Sequence, residues 1–435
     1  MNEKKVEIVK KNYLPRLTDI TLEKMLNISK AVLIEGPKWC GKTWTGIFYS
    51  SSWVDFSDTK TRNSNISLAK IEPETLLSSP YPKLIDEWQE YQPIWDDIRS
   101  MVNFSQEKGY FILTGSVSPK KKEHSHSGAG RIERMKMFPM TINESEKTEC
   151  VFSLGQMFLG DSETECKYKI KATKFKLKDL ITFVIRGGWP ENIGFEIEEA
   201  LIKNKGYIDS ISTEGILKQS GVRMDKEKFN CLIKSIGRNI STCAAYSTIH
   251  NDVNSVYRKG INDKTFAKYL QTLKDMFLFV ELNAFQPNLR SKTRLQSVTK
   301  KILIDPSLAC AALNLTYEKF LNDLNFFGFF FENLVLRDLL VYASVLRGQL
   351  FHYRDNSGLE VDCILELDSG EYAAIEIKTG NDKIDEAIKH IKLFKQKMVN
   401  GGFKEPKASL IIVGTGAFLH KEEGIWIVPL EFLTI

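Results

Sequence analysis

Short, mostly apolar runs alternate with helical stripes along the first third of the chain. Ala31-Val32-Leu33-Ile34, Ser52–Phe56, Leu84-Ile85 and Phe111-Ile112-Leu113 read as strands, most of them buried. Leu22, Met25, Leu26 and Ile28 fall at helical spacing before the first of these runs. Strands separated by helices predict an α/β layer. Periodicity fades between Glu149 and Lys176, which reads as a connector, and a helix follows near Lys178–Ile185. Arg186-Gly187-Gly188-Trp189-Pro190 reads as a turn. Phe229, Leu232, Ile233 and Ile236 form one stripe; Phe266, Tyr269, Leu270, Leu273, Met276 and Phe277 form another, capped by Asn262-Asp263. Strand-like Leu278–Leu282 and Ile302–Ile304 come next, with Arg290, Lys292, Arg294, Lys300 and Lys301 decorating the segment between and beside them. Helices followed by a basic hairpin predict a winged helix, which binds DNA through its second helix or serves protein contacts.

The character changes again beyond Phe326. Phe329-Phe330-Phe331-Glu332 opens a helix through Leu334, Val335, Leu339 and Leu340. Leu350–Tyr353, Leu359–Leu365, Tyr372–Lys378, Ala408–Val413 and Gly424–Val428 then predict a mixed sheet. Glu386, Lys389, His390, Lys392 and Lys395 read as the solvated face of an amphipathic helix. The pattern divides the chain into 1–148, 149–322 and 323–435.

Chemistry enters directly after the first apolar run. Gly36-Pro37-Lys38-Trp39-Cys40-Gly41-Lys42-Thr43 has the GxxxxGK[ST] spacing of a Walker A loop. Its glycines let successive backbone N–H groups turn toward phosphate oxygens. Lys42 would reach the β- and γ-phosphates of ATP, Thr43 would hold Mg²⁺, and Trp44 continues the loop into a helix whose positive end faces the anion. Asp86-Glu87, closing a short apolar strand, reads as the Walker B pair: Asp86 for Mg²⁺, Glu87 to orient or deprotonate water. Thr114 or Ser116, at the tip of the next strand, would sense the γ-phosphate. The stretch Lys120–Arg134 holds Lys-Lys-Lys, His124, His126, glycines and Arg131; it suits an arginine finger given in cis or in trans, or a solvated basic loop. The two histidines lack the Cys or carboxylate partners of a metal site. Arg16 reads either as a surface charge or as a residue near a neighbouring subunit's nucleotide.

A second set lies near the end. Asp362 sits in one half of a hairpin, and alternation puts Glu376 and Lys378 on one face of the next strand. The three would form a site for Mg²⁺ or Mn²⁺ with a lysine beside it, and Glu332 would be a further ligand. Ordinary pairing of Glu376 with Lys378 across a strand face is the alternative. This set resembles the PD-(D/E)XK nuclease superfamily.

Composition narrows the classes. The chain has 435 residues, more than one core holds, and a net charge of +5, which permits a nucleic-acid partner without demanding one. Seven scattered cysteines show no CxxC or disulfide spacing and read as reduced. No apolar run is long enough for a bilayer, and the N-terminal segment is not of signal type, so a cytoplasmic protein is expected.

Taken end to end, the sequence resembles a prokaryotic family of AAA-type ATPases bearing a C-terminal domain of unassigned function. The residues that carry the likeness are Tyr13-Leu14-Pro15-Arg16, Gly36–Thr43, Ile85-Asp86-Glu87-Trp88-Gln89, Leu113-Thr114-Gly115-Ser116, Gly130-Arg131-Ile132, Arg186–Pro190, Phe331-Glu332-Asn333 and Asp362 with Glu376-Ile377-Lys378. Lys38-Trp39-Cys40 departs from the Arg-Gln type expected inside the loop. The resemblance implies an α/β protein: a P-loop NTPase domain, a mainly α winged-helix domain and a mixed α/β restriction-endonuclease-like domain. ATP is the ligand expected from the Walker A loop, DNA or a protein the expected partner of the C-terminal half, and a homo-oligomer is left open. Metal-dependent DNA cleavage and an ATP-controlled binding switch with a silent nuclease fold are both open.

Overall fold

The computed structural model describes residues 2–116, 130–149, 151–159, 171–215, 225–257, 260–287, 298–416 and 420–435. The chain forms two compact units, Met1–Pro139 with Asp275–Phe277, and Met140–Lys274 with Leu278–Ile435.

The first unit is built on five strands: β1 (Ala31–Glu35), β2 (Ser52–Asp55), β3 (Lys83–Asp86), β4 (Phe111–Gly115) and β5 (Ile132–Lys136). They lie in the order β2-β3-β4-β1-β5, and every neighbouring pair is parallel. Both faces are covered, so β1 is buried along its whole length, as its unbroken apolar run demands. Val32 and Ile34 pack on one face with Leu22, Ile47, Leu84 and Ile112. Leu33 packs on the other with Phe56, Ile85, Trp88, Trp95, Ile98 and Phe111. Truncating one such aliphatic to alanine costs about 2–5 kcal/mol. The helix Lys42–Tyr49 lies close against the sheet at Gly46, where a Cβ would come within 2.6 Å of Leu84 Cδ1.

Strand β5 falls in a stretch the sequence marks as a basic loop. Only Ile132 and Met135 of its five residues are buried, so the strand lacks a clean alternation. The rest of that loop before Gly130, with His124 and His126, lies outside the described residues.

The second unit contains β6 (Phe152–Ser153), β7 (Phe279–Ala284), β8 (Lys300–Leu303), β9 (Gly348–Arg354), β10 (Glu360–Leu367), β11 (Tyr372–Lys378), β12 (Ala408–Val413), β13 (His420–Glu422), β14 (Ile425–Pro429) and β15 (Leu433–Thr434). Eight of these make one mixed sheet, β13-β14-β12-β11-β10-β9-β7-β8, while β6 pairs with β15. Strand β10 runs antiparallel to both neighbours, and β11, β12 and β14 are parallel. Three helices, Lys226–Arg238, Tyr246–Val256 and Asp263–Asp275, precede β7.

The hairpin expected to be a basic wing is β7–β8, and it extends the large sheet through pairing of β7 with β9. Lys300 and Lys301, read as basic decoration of that hairpin, are 1% and 2% exposed. Adjacent strand residues point to opposite faces, and here both faces are covered. Arg290, Lys292 and Arg294 lie outside the described residues.

The Arg186–Pro190 turn is also part of the interior. Trp189 is buried and its Nε1 donates to Ser307 Oγ at 2.9 Å. Asp305 accepts from the Gly188 N–H and from Arg337, each at 2.9 Å, and Arg337 also donates to Asp338. A Cβ at Gly188 would lie 2.1 Å from the Met140 carbonyl oxygen, so backbone occupies the space a side chain would need.

Candidate nucleotide site and carboxylate cluster

The loop 36–41 leaves the C-terminal end of β1, which lies between β4 and β5 in the first sheet. Gly36 is required there by packing: an added Cβ would sit 2.1 Å from the Met137 carbonyl oxygen. Trp39 and Gly41 have left-handed backbone, φ 68° and 108°, which curls the loop into the helix Lys42–Tyr49. Lys42 is buried and its Nζ donates to the carbonyls of Gly36 at 2.9 Å and Pro37 at 2.7 Å. The ammonium is thereby held inside the loop. Lys38 is half-buried, Cys40 is buried, and Trp39 and Trp44 are exposed at the loop's rim.

Thr43 and Asp86 meet at the same sheet edge. The Thr43 hydroxyl donates to Asp86 Oδ1 at 3.0 Å. Burial pushes the Asp86 carboxyl up to about 7, against the hydrogen bonds from Thr114 and Thr43. A buried carboxylate paired with a hydroxyl and, among the described residues, lacking an ammonium partner suits a divalent cation, so the residues present fit Mg²⁺. Glu87 follows with φ 50°, a conformation costing a non-glycine residue about 1–3 kcal/mol and usually kept at working sites. Ser116 Oγ donates to its carboxylate at 3.0 Å, and Gln89 Nε2 donates to the same oxygen. Thr114 braces the pair: its hydroxyl donates to Asp86 and accepts the Glu87 N–H. That hydroxyl, expected to sense phosphate, is engaged with the two acids.

Two arginines differ from expectation. Arg16 is neither a surface charge nor turned to a neighbour: it is 5% exposed, with Nη1 donating to the Cys40 carbonyl at 2.7 Å and Nη2 to the Phe138 carbonyl at 2.9 Å. It clamps the loop to the segment following β5. Arg131 precedes β5 and pairs with Asn103 at 3.0 Å. Because Ile132 is in register with Ala31, Arg131 lies at the opposite sheet edge from the loop, about 15 Å away along a five-residue strand. A cis arginine finger is therefore ruled out for Arg131 in this conformation.

In the second unit, a bulge in β10 between Val361 and Ile364 re-aims Asp362. Its Oδ2 accepts the Ile377 N–H at 2.8 Å and lies 3.3 Å from Lys378 Nζ, which bonds Glu376 Oε2 at 2.6 Å. Asp362, Glu376 and Lys378 thus do come together. Lys300, which the sequence pattern places in the basic hairpin, joins them from β8: its Nζ is 2.7 Å from Glu332 Oε1 and 3.1 Å from the Asp362 carbonyl. Burial pushes Glu332 up to about 8 and also raises Glu376. Burial acts the same way on Asp362, but Lys378 and Lys300 hold it below its ordinary value. Among the described residues no three of His, Cys, Asp and Glu are arranged to hold a metal. The expected Mg²⁺ or Mn²⁺ set of Glu332, Asp362 and Glu376 does not fit, because each carboxylate is engaged by an ammonium.

The first unit's sequence points the same way as its loop. Residues 28–146 match the model of an AAA domain. Residues 177–319 and 327–433 match two domains of unknown function, DUF8612 and DUF4143. No curated protein matches the chain. Among solved structures, the Walker-type ATPase Paby2304 of Pyrococcus abyssi is similar at 13% identity, covering 70% of this chain and 97% of that one, with a TM-score of 0.43. AMPPCP-bound DnaA from Aquifex aeolicus is similar at 12% identity, covering 60% and 91%, with a TM-score of 0.26. The AAA match and the geometry of the loop together support ATP binding. Among the described residues no helix is long and apolar enough to cross a membrane.

Proposed function

We propose that this chain is a Mg²⁺-dependent ATPase whose working residues are Lys42, Thr43, Asp86 and Glu87. The observation that carries the reading is the Thr43–Asp86 hydrogen bond of 3.0 Å, formed between two motifs 43 positions apart. Gly36–Gly41 present backbone N–H groups to the phosphates. Lys42, released from the Gly36 and Pro37 carbonyls, neutralises charge that builds on the transferring phosphoryl group. Thr43 and Asp86 would hold a magnesium ion, which would supply further neutralisation of the phosphate charge. Glu87, fixed by Ser116 and Gln89, orients the attacking water and accepts its proton. The domain division at 148/149 and 322/323, a cytoplasmic location and self-association belong to the same reading. In an assembly, Arg131 would act on a second copy's nucleotide.

The test is a trapped complex. Glu87→Gln retains ATP through gel filtration without releasing phosphate, whereas the wild type elutes with ADP or empty. Equal phosphate release by the two proteins would remove Glu87 from the mechanism.

For the second unit, metal-dependent DNA cleavage at Asp362, Glu376 and Lys378 draws support from the β10 bulge, which makes the three contiguous. The lysine pairing of every carboxylate favours the other reading, ATP-controlled binding of DNA or protein by a catalytically silent fold. Plasmid nicking with Mg²⁺ or Mn²⁺ that Asp362→Ala abolishes would decide for cleavage.

A further inference from the structure

Lys300 is the least expected member of the carboxylate cluster. It is 1% exposed on β8, yet four acidic oxygens or carbonyls surround its ammonium: Glu332 Oε1 at 2.7 Å, the Asp362 carbonyl at 3.1 Å, Glu360 Oε1 at 3.6 Å and Asp362 Oδ1 at 3.9 Å. Lys378 supplies the second ammonium, 2.6 Å from Glu376 and 3.3 Å from Asp362. A hard divalent cation needs several oxygens converging at about 2.0–2.6 Å on one point. Here the space between Glu332 and Asp362 is filled by Lys300, and that between Asp362 and Glu376 by Lys378. Two ammonium groups also carry the charge a divalent ion would bring. Admitting such an ion would strip Lys300 of its partners in a place where an unpaired buried charge is strongly disfavoured.

We propose that Lys300 is the resident cation of this cluster: with Lys378 it stands in the place of a divalent metal and excludes one, leaving the nuclease-like arrangement silent. Removing the Lys300 ammonium opens a site for Mg²⁺ or Mn²⁺ between Glu332 and Asp362, with Glu360 beside it, while Lys378 stays on Glu376. The inference concerns the second unit and is independent of ATP turnover in the first.

The experiment is Mn²⁺ titration of the nucleotide-free full chain, followed by the electron paramagnetic resonance of the free ion. Asp362→Asn, made in each background, isolates this cluster from the ion-binding residues Thr43 and Asp86. The wild type and Asp362→Asn take up Mn²⁺ identically up to about 1 mM. Lys300→Met gains one equivalent, and Lys300→Met with Asp362→Asn loses it again. An Asp362-dependent Mn²⁺ site in the wild type overturns the proposal, a result that needs no Lys300 variant to fold. So does the absence of any gain in Lys300→Met or the milder Lys300→Gln, when circular dichroism shows the fold retained.

Discussion

Arg16 donates to the carbonyl of Cys40, inside the phosphate-binding loop, at 2.7 Å, and its other nitrogen bonds the Phe138 carbonyl at 2.9 Å. One guanidinium therefore joins the loop to the chain that leaves β5. This makes Arg16 a positioning residue: it touches no reacting atom, but it sets where the loop's backbone lies. Removing it orphans two buried carbonyls, at about 1–3 kcal/mol each. Arg16→Met is expected to weaken ATP binding about tenfold, measured with a fluorescent ATP analogue. Arg16→Lys, with one ammonium in place of a fork, should recover only part of that loss. Unchanged affinity in Arg16→Met would show that the clamp does not shape the loop.

Gly36 makes a sharper demand. Its added Cβ would meet the Met137 carbonyl oxygen at 2.1 Å, and a backbone atom cannot rotate aside. Gly36→Ala should destabilise the unit by about 1–3 kcal/mol and displace the loop. Thermal unfolding read with and without ATP should show a lowered midpoint and a reduced stabilisation by nucleotide. Wild-type values for both would mean the segment after β5 yields easily.

Much of this site was legible because its chemistry is local. The loop spacing, the Asp86-Glu87 pair and the Asp362, Glu376, Lys378 set each lie within one or two neighbouring elements, where periodicity and strand alternation reach. The missed features depend on distant partners. Arg16 meets carbonyls 24 and 122 positions away, and Lys300 meets Glu332 and Asp362 at separations of 32 and 62. A pair of lysines before an apolar run reads as surface unless the sheet covering both sides is known. Strand β5 was hidden by its polar residues, and the hairpin β7–β8 read as a wing because nothing local announces its pairing with β9. The helix Tyr246–Val256 escaped notice because only Ile249 and Val253 of its eleven residues are buried.

His352 predicts a pH dependence in the second unit. It is 2% exposed, its Nε2 bonds the Val298 carbonyl at 3.0 Å, and Cys243 Sγ is 3.7 Å from its Nδ1. Burial, aided by Lys300, depresses its pKa to about 4. The unfolded chain takes up a proton near pH 6.5 that the folded chain refuses until about 4. The neutral ring's contribution is therefore complete above pH 6.5 and is lost as pH falls from there toward 4, on the order of 3 kcal/mol in all. Urea unfolding at pH 7 and pH 4.5 should show a steeper acid loss for the wild type than for His352→Gln. Equal slopes would show that the ring is not held neutral.

The most direct measurement is steady-state phosphate release from Mg²⁺-ATP by the purified full chain beside Lys42→Ala. Turnover by the wild type, lowered about 100-fold or more in Lys42→Ala, is the predicted result. The same rate from both proteins, or none from the wild type at saturating ATP, would contradict hydrolysis at the Gly36–Thr43 loop.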